Sequence, residues 1–555
     1  MTEFDTVEEL KSVLSFLKDE RHKREIDWKE VQQLVAPSVL NLSDLTQKIP
    51  TRPKRYTGKP AHYLKTMVTG ITGYSISPNI PWFKISLELQ EHLEMYGVKD
   101  WLEQVERVMY AEYKRSNIYK QATKLIEYGA TYGHGATLID DPADGDRIRF
   151  TTIPIRELYF DYNEYDEIDT VYREFTMTVA NAVEFFGEDN VSAQVKIDYE
   201  DRRKWNNDVL ICHAVYRRKE RDENRPDSKN MEFASLYVDL THNHLIKESG
   251  YREFPYAIFI WDHIVGTAYG ECPSIHALDD IRMLSKTEES RLRIAQLSSR
   301  PAYNVPESMR GSESVVPDGY NYYTKANEMV VPINAGANYP ISLEVTQEYE
   351  SRVKDWFHVD FFLMLQSQQN IKDMTATAVQ ALQGEKAAIL SDLVVNLNET
   401  LNTIIQRTFN ILFRQGKIPS PPDILAAAGA QLKVDFVGPL AQAQKKYLEA
   451  GGLAQGLNIV AGIAQLSPTA LDNVDFDQMV KTGMEGAGVP QNIIREQDDV
   501  DAIRQQRAEQ QAQQQQLAMQ MEQQKNLTGN ADKLNQPMQP GGMLDQLNQA
   551  MGGRA

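Results

Sequence analysis

Residues 266–298 read GTAYGECP followed by SIHALDDIRMLSKTEESRLRIAQLS, and the chain changes character across them. Upstream the punctuation is Gly and Pro between short apolar runs; downstream it gives way to a long helix. Ile275, Leu278, Ile281 and Leu284 fall three apart on one face of that helix. The next stretch, residues 300–336, is RPAYNVPESMRGSESVVPDGYNYYTKANEMVVPINAG. Its Pro and Gly content rules out a continuous helix and leaves room only for short β-like pieces. A second long helix is expected at 343–366, LEVTQEYESRVKDWFHVDFFLMLQ, then a polar break, SQQNIKDMT, at 367–375. The third helix is expected at 375–414, with Leu390, Leu393, Leu397, Leu401, Ile404 and Ile411 in a near-heptad. At about 1.5 Å per residue, some 40 residues give a rod of roughly 60 Å, too long for an ordinary compact domain.

Working back from residue 266, the run 147–262 reads as strands: RIRFTTIPI, REFTM, DVLICHAVYRR, ASLYVDL and YAIFIW. They are β-branched or aromatic and follow one another without crossover helices, which predicts an α+β region rather than βαβ units. Residues 59–135 read as mostly helical, with Trp101, Leu102, Val105, Val108, Met109 and Tyr113 at helical spacing; YGATYGHGATL at 128–138 then turns into a hairpin-like region. Residues 6–36 read as two short helices closed by Pro37. Beyond 440 the helices are rich in small residues. From 505 the sequence QQRAEQQAQQQQLAMQMEQQ has good helix formers and almost no apolar stripe, so it needs partners to be ordered.

The chain has 555 residues, 42% hydrophobic and 25% charged, an ordinary globular balance. Its formal charge of -19 argues against a protein that grips DNA through phosphates. Cys212 and Cys272, the only cysteines, read as isolated reduced thiols. The amphipathic start MTEFDTVEELKSVL is not a signal peptide, and the longest apolar stretch, 256–261, is far short of a bilayer span of about 20 residues. A soluble protein made in a reducing cytoplasm, without a membrane anchor, is the expectation.

Catalytic patterns are absent. Gly58-Lys59 is followed by Pro60 and Gly416-Lys417 by Ile418, so no phosphate-cradling GxxxxGK[ST] loop exists, and neither HExxH nor GxSxG occurs. His242 and His244 form an HxH that reads as a surface turn, with a metal pair as the alternative. Asp140-Asp141, Asp279-Asp280 and Asp498-Asp499 read as solvated faces. KDERHKR at 18–24 reads as a helix surface, and Arg202-Arg203-Lys204 with Arg217-Arg218-Lys219 as exposed basic clusters open to subunits or nucleic acid. No catalytic, metal or cofactor residues are assigned.

The order of elements resembles the head-to-tail connector (portal) proteins of short-tailed, double-stranded-DNA phages. GTAYGECP looks like that family's GxxYG segment, the ALDDIRML that follows looks like its LxD(I/L)RxL helix, and Met374-Thr-Ala-Thr-Ala378 opens the third helix in the family's manner. The resemblance covers roughly residues 5–510. It implies an α+β, predominantly helical portal fold assembled as a ring. Residues 1–270 would form a wing, 271–298 and 343–366 the stem helices, 299–342 the clip and 367–375 a tunnel loop. The long helix would span 376–417, the crown 418–503, a Gln-rich barrel helix 504–530 and a flexible tail 531–555.

It also implies a ring of about twelve copies closed by head-to-tail contacts. Double-stranded DNA would pass through it, and a terminase packaging motor, a tail adaptor, and capsid and scaffolding proteins would be its partners. The location would be the capsid vertex of the virion, after assembly in the host cytoplasm. Positions implied to face DNA are Gln368, Gln369, Asn370 and Lys372; those implied at the clip, toward motor and tail, are Arg300, Arg310 and Lys325. An acidic or neutral bore lets a duplex slide where a strongly basic one would hold it. The rival readings are another virion ring, adaptor or core protein, and, of a different class, a DNA-processing enzyme.

Overall fold

The computed structural model describes residues 7–37, 42, 45, 54–88, 97–141, 147–219, 221–222, 225, 227–311, 321–323, 325, 329–332, 339–366, 391–422, 425, 432–438, 503–507, 509–510 and 519. Two units divide the chain, Met1–Leu448 and Glu449–Ala555. In the second, residues 503–507, 509–510 and 519 are helical; the rest of the Gln-rich segment lies outside the described residues.

The first unit mixes helix and strand. The strand series at 147–262 forms a five-stranded antiparallel meander in which each strand pairs with the next. Its members are β4 (Leu158–Tyr162), β5 (Ile168–Thr178), β6 (Asp208–Arg217), β7 (Phe233–Asp239) and β8 (His244–Tyr251). Beside it β2 (His134–Asp140) is flanked by β3 (Arg149–Ile153) and β9 (Tyr256–Ile260). The meander is buried on both faces, which explains its dense apolar alternation. On β6, Cys212, Ala214 and Tyr216 face one way and pack against Leu10, Leu14 and Leu17 of α1 (Val7–Leu34). On the opposite face, Val209 and Ile211 pack under two short helices, α5 (Val179–Phe186) and α6 (Ala193–Glu200), and Val215 joins a core that also takes in β2 and β9.

Helix α1 corrects the expectation of two short helices: it is continuous over 28 residues. The charged middle has no breaker, and the surface assigned to 18–24 is partly interior. Arg21 and Glu25 are both buried. The Arg21 guanidinium donates to the carbonyls of Ile155, Arg156 and Leu158 at 3.0–3.1 Å and to Glu25 Oε1 at 2.9 Å. Further along, Trp28 and Val31 are buried, so one helix runs from the meander to the larger core.

That larger core gathers α2 (Lys59–Ser75), α3 (Val98–Arg115) and α4 (Ile118–Tyr132) with β1 (Phe83–Leu87) and the helices downstream. Strand β1 interrupts the mostly helical reading of 59–135 and pairs with β12 (Leu432–Phe436), Phe83 opposite Phe436 and Leu87 opposite Leu432. Both strands are five residues long and isolated in sequence, so neither carries a periodic signature of its own.

Downstream of β9 come a one-turn helix α7 (Pro273–His276), α8 (Leu278–Ser299), a minimal pair of strands β10 (Tyr303–Asn304) and β11 (Val331–Pro332), α9 (Tyr339–Trp356), α10 (Val359–Gln366) and α11 (Ser391–Arg414). The single helix expected at 343–366 is therefore two. The break falls at His358, whose φ of 47 is left-handed. Turning the chain there seats Phe361 and Phe362 in the core, where the Phe362 ring lies so close to Gly70 of α2 that a Cβ on the glycine would come within 2.3 Å. Of the third long helix, the structure describes Ser391–Arg414; residues 375–390 and the loop at 367–375 lie outside the described residues.

Two buried histidines give the first unit an acid-sensitive interior. Burial, reinforced by Arg21, pushes His134 down to about 3; burial with Arg173 and Lys247 does the same to His213. The unfolded chain, with imidazoles near 6.5, binds more protons than the native one between those values. Stability therefore rises with pH through this window and falls as pH drops below about 6.5. Replacing His134, which sits among the rings of Trp28, Phe160 and Tyr269, by Phe flattens that slope in denaturant melts taken from pH 4 to 7. An unchanged slope would show that the native ring already carries its proton.

Candidate docking and channel surface

The segment GTAYGECP is a junction. Helix α4 ends in Gly133, whose left-handed φ of 89 turns the chain straight into β2. A Cβ on Gly133 would lie 2.1 Å from the carbonyl oxygen of Gly270, and one on Gly270 would lie 2.6 Å from the carbonyl oxygen of Asp262. Two backbones touch there because neither has a side chain. Tyr269 packs edge-on against Trp28 at 5.6 Å, Glu271 pairs with Arg24 of α1 at 2.5 Å, and Ser274 donates to the carbonyl of Ala130 at 2.8 Å. Cys272 is buried at the same junction and burial raises its thiol, so it is a packing residue.

From this base rises a helical hairpin. Asp280, in the first turn of α8, accepts from Trp356 Nε1 at the end of α9 at 3.1 Å, and Tyr303 past the end of α8 pairs with Pro332 ahead of α9. The two helices therefore run antiparallel, with the strand pair at the far end. Four side chains hold the near end. Arg282 grips Glu30 of α1 with two hydrogen bonds, at 2.7 and 2.6 Å, and Arg352 faces Asp280 at 3.8 Å. Lys59, at the start of α2, reaches both Glu288 of α8 (3.2 Å) and Glu350 of α9 (2.7 Å), and Tyr63 donates to Glu350 at 2.6 Å. Burial alone would raise Glu350, but the bonds from Lys59 and Tyr63 outweigh it and hold the carboxyl below its ordinary range. Asp280 thus works between helices, correcting the reading of Asp279-Asp280 as a solvated face; Asp279 is exposed and pairs with Arg282.

Of the positions assigned to the clip, Arg300 is exposed at the end of α8, Arg310 is exposed beside Glu307 at 3.2 Å, and Lys325 is exposed. No hydrogen bond or ion pair between these three is found. Gln368, Gln369, Asn370 and Lys372 lie outside the described residues. Arg218, read as exposed, is a correction: its side chain is only 6% exposed and pairs with Glu248 at 3.2 Å, tying the end of β6 to β8. His242 and His244 each have structural work. His242 Nδ1 meets the buried Asp239 at 2.7 Å in the β7–β8 turn, and His244 Nε2 meets the carbonyl of Asn190 at 3.0 Å. Among the described residues no three His, Cys, Asp or Glu side chains converge as a metal site, and no helix is long and apolar enough to cross a membrane. The ties of Lys59, Glu350 and Arg282 were not singled out from sequence, since single charges on separate helices carry no pattern.

Fold and surface together define a structural subunit organised around an anchored helical hairpin. The chain belongs to the bacteriophage head to tail connecting protein family, whose sequence model matches residues 7–494. It is 31% identical to the portal protein of Salmonella phage epsilon15 over 92% of this chain and 93% of that one. It is 28% identical to the probable portal protein of Bordetella phage BPP-1, with 91% of each covered. Among solved structures, a chain from the neck of an empty GTA particle matches over 72% of this chain and 86% of its own length, at 9% identity and a TM-score of 0.34. A likeness that low has no weight for the fold. The function that follows from the family is that of a portal, a structural connector and not an enzyme.

Proposed function

We propose that this chain assembles as a closed ring at one vertex of a phage capsid, through which double-stranded DNA enters during packaging and leaves at infection. The observation that carries this reading is the family match over residues 7–494, together with portal relatives aligned over more than nine-tenths of the chain. The hairpin of α8 and α9 is assigned as the stem and residues 299–342 as the clip, which takes the packaging motor and later the tail adaptor. Residues 367–375 are assigned as the loop facing DNA, with Gln368, Gln369, Asn370 and Lys372 touching phosphates in passing. Arg300, Arg310 and Lys325 are assigned to the clip surface. About twelve copies, joined by heterologous contacts whose rotation closes, are the expected ring. Assembly in the host cytoplasm precedes incorporation into the virion.

Electron microscopy of the purified chain, with mass photometry beside it, tests the reading. Top views of a ring around a duplex-wide hole, at a mass of about twelve subunits, support it. A chain that stays monomeric at high concentration rejects it.

A further inference from the structure

Two strand edges in the first unit end on helices instead of on further strands. In the ribbon of β1 and β12, Val437 N–H donates to the carbonyl of Trp82 at 3.0 Å, and Lys84 lies opposite Asp435 in the same register. The even positions of β1 therefore bond to β12, and the amides of Phe83 and Ile85 point away from it. Helix α3 takes both. Ile85 N–H donates to Glu106 Oε1 at 2.7 Å. Phe83 N–H donates to the Tyr110 hydroxyl at 2.9 Å, and that hydroxyl donates back to the Phe83 carbonyl at 2.7 Å. The outer edge of β3 is closed in the same way. Phe150 N–H donates to Asn117 Oδ1 at 3.0 Å, and Asn117 Nδ2 donates to the Phe150 carbonyl at 2.7 Å. Thr152 N–H donates to Gln121 Oε1 at 3.0 Å.

Spacing makes this possible. Glu106 and Tyr110 stand four apart on α3, and Asn117 and Gln121 four apart across the first turn of α4, where Gln121 N–H donates to the Asn117 carbonyl at 3.2 Å. Four residues of helix rise about 6 Å. Alternate amides along a strand are about 6.6 Å apart. A pair of acceptors at i and i+4 on a helix thus matches donors at i and i+2 on a strand. The match occurs twice, on strands of separate sheets, and in opposite senses. Glu106 meets Ile85 and Tyr110 meets Phe83, so α3 runs antiparallel to β1, whereas α4 runs parallel to β3.

We infer that α3 and α4 act as surrogate edge strands, holding shut two edges to which a strand of a second copy of this chain would otherwise add. A row of unpaired amides is a template for pairing with another chain. The β1 edge is the more exposed to that hazard: Phe83, Ile85 and Leu87 are buried on one face of a ribbon of only two strands, which has little stability by itself. A strand added there would present a further row of amides to the next copy. Carboxylate, hydroxyl and amide side chains satisfy the same donors and end the sheet. This guard stands apart from the ring reading, since it keeps contacts between copies off the sheet edges whatever contacts build the ring.

Hydrogen exchange and mass photometry of the full chain test this on the double variant Glu106→Met, Tyr110→Phe, which nearly keeps side-chain volume and removes both acceptors. Amides 83 and 85 are expected to exchange roughly 100-fold faster than in the parent chain. The variant is also expected to form species heavier than any the parent forms at equal concentration, with amides 83 and 85 protected again inside them. Glu106→Gln, which keeps an acceptor at that position, is expected to behave as the parent. Unchanged exchange in the double variant overturns the surrogate-strand role. Fast exchange without added association, or added association that leaves 83 and 85 unprotected, overturns the guard. Where the double variant yields no folded chain, Gln121→Met carries the same comparison at the amide of Thr152, with the same outcomes for and against.

Discussion

Gly133→Ala is expected to cost the fold at least ~4 kcal/mol, or to leave no soluble chain. Two effects add. The residue holds a left-handed φ of 89, where any L side chain loses about 1–2 kcal/mol. The new Cβ would also lie 2.1 Å from the Gly270 carbonyl oxygen and 2.6 Å from its carbon. Those atoms are backbone and cannot swing aside. Gly270 is itself confined by the carbonyl of Asp262, and the carbonyl of Gly133 is held by Trp261 N–H at 2.9 Å. Gly97→Ala is the matched control. Gly97 has a similar φ of 78 but nothing within 4 Å of where its Cβ would stand, so it is expected to lose only about 1 kcal/mol. Denaturant melts of both variants separate the backbone cost from the collision. Similar losses in the two would show that the 133–270 contact relaxes freely.

Arg21→Met is the second large effect, expected to destabilise by about 3–5 kcal/mol. It removes donors from three carbonyls at once and leaves the Glu25 carboxylate, whose side chain is only 10% exposed, without its closest partner and with Lys29, at 3.2 Å, as its remaining lysine or arginine neighbour. Burial pushes Glu25 up, but the Arg21 charge and hydrogen bonds, with Lys29 behind them, win and hold it below its usual range. A carboxyl depressed in the native state contributes stability that is full above its unfolded value, near 4.5, and is lost as pH falls through the folded one. Arg21→Met weakens that acid-side dependence, leaving only the part that Lys29 supplies, along with the stability. Adding Glu25→Leu recovers part of the loss, because the weakly paired charge goes while the carbonyls stay unpaired. A loss under about 1 kcal/mol, the level of an exposed pair, would place the guanidinium in water.

Both residues show how far local pattern reaches. Gly133 stands in a Gly-rich run that reads correctly as a break between helix and strand, since a left-handed cap needs only the local chain. That the break is pressed against Gly270 could not be read, because the contact joins residues far apart in sequence. Arg21 was read as surface because it stands in KDERHKR, and charge runs are solvated unless something distant offers acceptors. The 155–158 carbonyls are that something.

The sequence by itself determined the strand series at 147–262, the long helix read at 274–298 (observed as one turn, Pro273–His276, and then Leu278–Ser299), the Pro/Gly-rich interval after it, and the absence of catalytic motifs; the motif order also pointed to the family. Periodicity and turn chemistry are properties of neighbouring residues, so they survive without the fold. Only the tertiary structure decided the rest. It paired Phe83 with Phe436, ran α1 unbroken through its charged centre, split the helix at His358 to seat Phe362 against Gly70, and tied the hairpin to α2 through Lys59. Each of these depends on atoms brought together from distant segments, and packing free energy, which selects among locally acceptable conformations, is defined only once those segments meet.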